Sequence, residues 1–275
     1  MKSKVWCWIQ QHRFAALGIA LALLVVGSSA LAPILAPYAP DAQDLNMGLS
    51  LPSIQHWLGT DQLGRDVLSR ILWAGRLSTA IAAIVLLLSL VLGGAIGILA
   101  GYFGGWVDEV CMRLIDLFLS IPTFILALAL IGTLGTGIQN LVLALAVSWF
   151  PAYARLVRSQ VLAIKTSEFV LAAEALGGSP WHILQYHYLP SLIGAIIVQL
   201  SLDVGAVILA IAGLSFIGLG VQPPAPEWGT MLVDARPFMQ AAPYLVLAPG
   251  LAILFTVFGF NVLSEAWETW LDPRR

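Results

Sequence analysis

From Leu117 to Ala154 the chain carries no charged side chain. A helix needs about 20 apolar residues to cross the roughly 30 Å hydrocarbon layer of a bilayer. The run is therefore too long for one crossing and long enough for two. Leu134-Gly135-Thr136-Gly137 punctuates it, and glycines between two apolar runs read as a turn. Phe14 to Leu35 is uncharged over 22 residues, and Ala80 to Phe103 over 24. A fifth run extends from Ser191 to about Leu219, interrupted only by Asp203, and a sixth lies between Tyr244 and Ser264. These runs predict an all-α integral membrane protein with six transmembrane helices.

Composition agrees. Of 275 residues, 59% are hydrophobic and 10% charged, against about 25% charged in soluble domains. A water-soluble fold could not hide this much apolar surface. The formal charge of −2 offers no polybasic surface for nucleic acid. Cys7 and Cys111 are far apart and form no C-x-x-C pair, so neither a zinc site nor a redox motif follows.

Six spans put both termini on one side. With the N-terminus in the cytoplasm, nine of the 13 Lys and Arg fall inside: Lys2, Lys4, Arg13, Arg113, Arg155, Arg158, Lys165, Arg274 and Arg275. Arg65, Arg70, Arg76 and Arg236 fall outside. The positive-inside bias favours this orientation. Ala30-Leu31-Ala32 resembles a signal-peptide cleavage site, but the apolar run continues past it, so an uncleaved first helix is expected.

The chain divides into residues 1–79, an N-terminal tail, first span and outer loop, and residues 80–275, a transport core. The outer loop holds Gly59-Thr60-Asp61-Gln62-Leu63-Gly64-Arg65-Asp66. Thr60 or Asp61 is placed to cap a helix there. Val67, Leu68, Ile71 and Leu72 share one face of that helix, and Asp66 and Arg70 are spaced to pair on the other. This reads as a helix lying in the membrane interface before the second span. Further on, Trp228 suits the lipid–water boundary.

Residues 155–190 form the one long loop on the cytoplasmic side. Glu168 to Leu176 reads as a short alanine-rich helix, ended by Gly177-Gly178, because glycine takes the left-handed conformation without strain. Ser179-Pro180 then opens a second helix, with proline in its first turn. It runs to Leu189, and Pro190 marks entry to the fifth span. A small exposed helix with short side chains suits docking into a partner's groove; a plain connecting loop is the alternative.

No lysine follows a glycine anywhere, so the chain has no G-x-x-x-x-G-K phosphate loop. ATP would have to be bound by another subunit. No catalytic constellation is present. His182 and His187 are five apart, a spacing that puts them on different faces of an α-helix, and no metal site is expected. Asp203 is the one charged residue well inside a span. Such a carboxylate usually faces the interior and marks a pathway, or it bonds polar side chains between helices or sits protonated. An ion-driven carrier using Asp203 as its relay is the competing class.

Ala172-Ala173, Gly177 and Leu189-Pro190 keep the spacing of the EAA loop. That loop is the signature of permeases of binding-protein-dependent ABC importers, which this chain resembles. Leu171 stands where the family has Glu, and His187 where it has Ile; Glu174 is three residues on from Leu171. Gly59-Thr60-Asp61 with Gly64-Arg65-Asp66, Gly213 through Gly220, and Glu227-Trp228-Gly229 are similar to the second permease of dipeptide, oligopeptide and nickel systems. The resemblance implies a type I importer (metI-like) fold in a bacterial inner membrane. It implies a second permease subunit, two ATPase subunits and an extracytoplasmic substrate-binding protein as partners. It also implies an ATPase-coupling role for Leu171, Ala172, Ala173, Glu174, Gly177, Leu189 and Pro190, and alternating access as mechanism, with Asp203 a candidate for the pathway. Glu168 to Ala172, Leu134 to Gly137, Leu202-Asp203 and Asp234-Ala235-Arg236 resemble nickel permeases most, making a chelated transition metal the expected cargo and a peptide the alternative.

Overall fold

The computed structural model describes residues 13–271. Lys2, Lys4, Cys7, Arg274 and Arg275, used above for orientation and cysteine pairing, lie outside the described residues. The described residues form helices α1 (Arg13–Ala30), α2 (Ala32–Leu35), α3 (Val67–Phe103), α4 (Gly105–Leu119), α5 (Thr123–Leu134), α6 (Ile138–Lys165), α7 (Glu168–Ala175), α8 (Pro180–Phe216), α9 (Trp228–Ala235) and α10 (Tyr244–Leu271). The one β feature among them is an isolated bridge between Thr60 and Asp66.

Helices α3, α6, α8 and α10 are each long and apolar enough to cross a membrane. The segment Ala16–Ala30 is a shorter apolar helix, and α4 with α5 forms a pair bent by 84°. All six expected apolar runs are thus helical and in the expected order. The third departs from a simple rod. Ser120-Ile121-Pro122 breaks it, and Leu117 to Leu119 belong to the preceding helix. Pro122 has no N–H to continue a helix, and it disfavours helical geometry in the residue before it.

The surface helix expected before the second span is instead continuous with it. Helix α3 runs 37 residues without interruption, about 55 Å at 1.5 Å per residue. A hydrocarbon layer accounts for about 30 Å of that, so the first turns extend beyond it. Asp66, rather than Thr60 or Asp61, caps the helix, accepting from the Ser69 N–H at 2.8 Å. Arg70 does not pair with Asp66; it turns to Asp61 and Asp234 instead.

Helix α3 packs along α6 through a glycine ladder. A Cβ added at Gly97 would meet the Ala154 carbonyl at 2.5 Å, and one at Gly101 would meet Val161 at 2.7 Å. Gly93, one turn earlier, lies against Phe150 and Tyr153 in the same way. Small residues four apart let two backbones approach closely, a common solution where lipid supplies no hydrophobic driving force between helices. Ser89 donates to the Ala146 carbonyl at 3.2 Å along the same seam. On the far side, Gly259 of α10 packs against Ala22 of α1. The main core joins α3, α6, α8, α9 and α10 around Val85, Leu145, Ile211, Leu214 and Trp228.

Candidate functional site

At one end of the helices, α7 and the first turns of α8 fold onto a small core of their own. Val170, Ile183 and Tyr188 are buried against Val157 and Val161 of α6 and Leu192 of α8. Helix α7 stops because Gly177 turns left-handed, with φ +78°. The Gly178 N–H donates to the Ala173 carbonyl at 3.0 Å, and the Gly177 N–H to Glu174 at 2.9 Å. Together these bonds satisfy the carbonyls of the last turn in a Schellman cap. Ser179 then caps the next helix, accepting from the His182 N–H at 3.3 Å.

The second helix of the loop is not separate from the fifth span. Pro180–Phe216 is a single helix with a π turn over Leu184–Tyr188. Pro190 explains the turn's position. Its ring crowds the carbonyl four residues back and it donates no hydrogen bond, and the widened turn just before it gives the chain room. The Leu189 N–H reaches back five residues to the Leu184 carbonyl.

That π turn also corrects the reading of the histidines. Spacing of five separates side chains in an α-helix but aligns them across an i→i+5 turn. The rings of His182 and His187 lie 6.2 Å apart. Even so, no group of three or more His, Cys, Asp or Glu is arranged to hold a metal ion among the described residues.

Of the residues expected to couple the loop, Leu171, Ala172, Glu174, Gly177, Leu189 and Pro190 are exposed, and Ala173 is half-buried. Phe169, Leu176, Trp181 and Tyr186 are exposed with them, Leu176 at 89%. A short, capped helix resting on a rigid base thus presents a largely apolar outer surface.

Asp203 is buried in the middle of α8. The Gln199 amide donates to it at 3.0 Å, and Trp149 and Tyr153 of α6 face it. The Tyr153 hydroxyl is fully buried beside this carboxyl. The carboxylate therefore sits on the α6–α8 seam within a polar cluster.

At the opposite end, the outer loop and α9 close on each other. Arg65 binds Asp61 at 2.6 Å and approaches Asp234 at 3.6 Å. Arg70 lies 3.6 Å from Asp61 and donates to the Pro40 carbonyl at 3.2 Å. Burial pushes the Asp234 carboxyl above its usual range, against the pull of Arg70 and Arg65. Glu227 caps α9 through the Thr230 N–H at 3.0 Å and accepts from Ser78 at 3.2 Å. Trp228, expected at the lipid boundary, is instead 1% exposed. Its indole N–H donates to the Ile71 carbonyl at 3.1 Å. Packing beneath the projecting end of α3 gives the ring both its burial and its partner. Gly218, with φ +84°, ends α8 just before this region.

The family described as "Binding-protein-dependent transport system inner membrane component" matches residues 93–275. The chain belongs to that family. The permease is 41% identical over 271 residues to the glutathione transport system permease protein GsiD of Pectobacterium atrosepticum, covering 97% of this chain and 89% of that one. It is 38% identical over 266 residues to the dipeptide transport system permease protein DppC of Alkalihalophilus pseudofirmus, covering 97% and 88%. It is 42% identical over 259 residues to the nickel transport system permease protein NikC of Escherichia coli K12, covering 93% and 94%. Its fold is shared with a chain in the "Crystal structure of an amino acid ABC transporter with histidines", with a TM-score of 0.50 at 16% identity over 72% of this chain and 91% of that one. The permease is thus a transport subunit of an ABC importer, a type of subunit that works with ATPases and a binding protein rather than hydrolysing ATP itself. Family membership decides against an ion-driven carrier.

Sequence reasoning missed the glycine ladder and the outer clamp. Gly93, Gly97 and Gly101, at intervals of four, were the available signal for the first. Nothing local signals the second, because Ser78 and Glu227 stand 149 positions apart.

Proposed function

We propose that this permease moves a chelated transition metal, nickel foremost, inward by alternating access. It pairs with a second permease, and α7 and the start of α8 dock on one of two ATPases in the cytoplasm. The apolar surface of Leu171, Leu176, Trp181 and Leu189, held on a buried base, supports the docking role. Leu171 supplies an apolar contact where a glutamate would supply a charged one, and Glu174 stands exposed one turn away.

Asp203 carries the choice of cargo. It is one buried carboxylate on a helix seam otherwise lined by neutral side chains, Gln199, Trp149 and Tyr153. In its ionised form, a carboxylate at membrane depth favours a cationic cargo. A pathway that must release its cargo needs few direct ligands. The nickel permease is as similar to this chain as the glutathione permease. A glutathione or dipeptide cargo is the second reading, supported by those relatives.

The test is uptake by cells that depend on this system. Deletion of the chain is expected to abolish uptake of radioactive nickel while leaving dipeptide and glutathione uptake in place. Unchanged nickel uptake, with loss of peptide uptake, would decide for the second reading.

A further inference from the structure

Helix α4 carries three distinct surfaces. Its inner face packs on the bundle: Ile115 is buried against Phe150 and Ala154 of α6, with Met112, Phe118 and Leu119 beside it. Its outer half is split lengthwise. At about 100° per residue, Trp106, Val110, Leu114 and Leu117 fall within an arc of roughly 80°. All four are exposed, Trp106 at 76% and Leu117 at 65%. The adjoining arc carries Glu109, Arg113 and Asp116, which are also exposed.

A helix with one flank in water and one in a protein groove has no use for an open apolar stripe. A helix lying at the bilayer boundary does: the stripe enters the acyl region and the charged flank faces water. The bend supplies the orientation. Apolar α5 follows at 84° to α4, so when α5 runs across the bilayer, α4 lies close to its plane. Exposed apolar residues continue past both ends of the stripe, with Phe103 before it and Ile121 and Ile125 after it. The lipid-facing surface of the spans is therefore continuous with the stripe.

Two ion pairs fix this helix to α6. Arg158 binds Asp108, and Arg155 binds Asp116 at 2.6 Å. Both arginines lie in the last turns of α6, the helix that leads directly into α7.

We infer that α4 is an interfacial anchor whose Trp106–Val110–Leu114–Leu117 stripe sits in the lipid surface and, through Asp108 and Asp116, holds the docking end of α6 at a fixed depth. The surface helix expected in the outer loop thus has its counterpart at the other end of the molecule. The anchor gives the docking loop a fixed frame, so that force applied at α7 reaches the spans rather than tilting α6.

The assembled importer in phospholipid nanodiscs tests this. In a Cys7→Ser/Cys111→Ser background, spin labels are placed at Trp106→Cys, Val110→Cys and Leu114→Cys, and separately at Glu109→Cys and Arg113→Cys, which leaves the Asp108 and Asp116 pairs to α6 in place. All five positions are exposed, so the replacements leave the core unchanged. Collisions with oxygen, which concentrates in lipid, are compared with collisions with water-soluble chromium oxalate. The expected result is oxygen dominance at 106, 110 and 114, and chromium oxalate dominance at 109 and 113. Chromium oxalate dominance at the stripe would overturn the inference. So would exclusion of both reagents there together with cysteine cross-linking to the second permease, which would make the stripe a protein interface.

Discussion

The Ser78 hydroxyl donates to the Glu227 carboxylate at 3.2 Å across 149 positions of chain. Glu227 is 1% exposed and also caps α9 through the Thr230 N–H. One side chain therefore ends one helix and fastens it to another. Glu227→Ala removes the cap and leaves the Ser78 hydroxyl and Thr230 N–H without their partner, a combined cost of about 2–3 kcal/mol. The expected outcome is a clearly lower melting temperature of the purified complex. Glu227→Gln retains an acceptor for either donor and is expected to lose less than half as much. Equal melting of wild type and Glu227→Ala would remove the clamp from the account of stability.

Gly177 tests the docking loop. Nothing lies within 4 Å of a Cβ added there, yet its φ is +78°. The cost of a side chain is therefore in the backbone and not in a clash. A non-glycine residue in this conformation costs about 1–2 kcal/mol, and β-branched residues fare worst. Gly177→Val is expected to insert and assemble normally while ATP hydrolysis loses its link to uptake, because α7 no longer meets α8 at the same angle. Gly177→Asn, which tolerates the left-handed region, is expected to stay close to wild type. Reconstituted vesicles report both rates, and normal uptake by Gly177→Val would count against the hinge.

Much of this was legible because lipid imposes a simple rule on sequence. Long uncharged runs had to be helices, and the order of all six followed. The glycine stop at Gly177 was legible for a different reason, since a left-handed cap is a local demand with a local solution. Trp228 was misread because an amphipathic ring has two homes, the lipid boundary and a buried seat with a carbonyl acceptor. Only the packing of Ile71 above it decides between them. The sequence divides helix α3 at Ala80 because Arg70 and Arg76 interrupt the uncharged run; Arg76 is exposed as such a break implies, but Arg70 is not. Arg70 is instead buried among Asp61, Asp234 and the Pro40 carbonyl, two of them drawn from distant segments.

The charge distribution predicts the orientation, and reporter fusions test it. A fusion at Lys165 is expected to report the cytoplasm, and one after Gln222 the opposite side. An extracytoplasmic signal from Lys165 would invert the arrangement and place α7 out of reach of any ATPase.

The Arg158–Asp108 pair is half-buried, with side-chain exposures of 29% and 19%. Such a pair contributes more than a surface pair, and breaking one side leaves a partly desolvated charge. Asp108→Asn is expected to cost about 1–2 kcal/mol and to reduce uptake more than ATP hydrolysis, since α6 loses its tie to α4. The exchanged pair Asp108→Arg with Arg158→Asp is expected to recover most of the coupling. Failure of the exchange, with single and double variants equally impaired, would show that the pair acts through something other than its mutual attraction.

Asp203→Asn separates charge from shape at the one carboxylate buried in the middle of a span. The Gln199 amide can still donate to the asparagine carbonyl, so the local packing with Trp149 and Tyr153 has no reason to change. What disappears is the one group on the α6–α8 seam that can carry a negative charge. For a cationic metal chelate, weakening one charge contact by about 1 kcal/mol lowers uptake roughly fivefold. A neutral zwitterionic peptide, whose two charges are felt with opposite sign, is expected to lose far less. The measurement is initial uptake of radioactive nickel and of labelled dipeptide by cells carrying either version at equal membrane abundance. A fivefold loss confined to nickel supports Asp203 as a pathway residue for a cation. Unchanged nickel uptake would return Asp203 to a structural role, bonding Gln199 and filling the seam between α6 and α8.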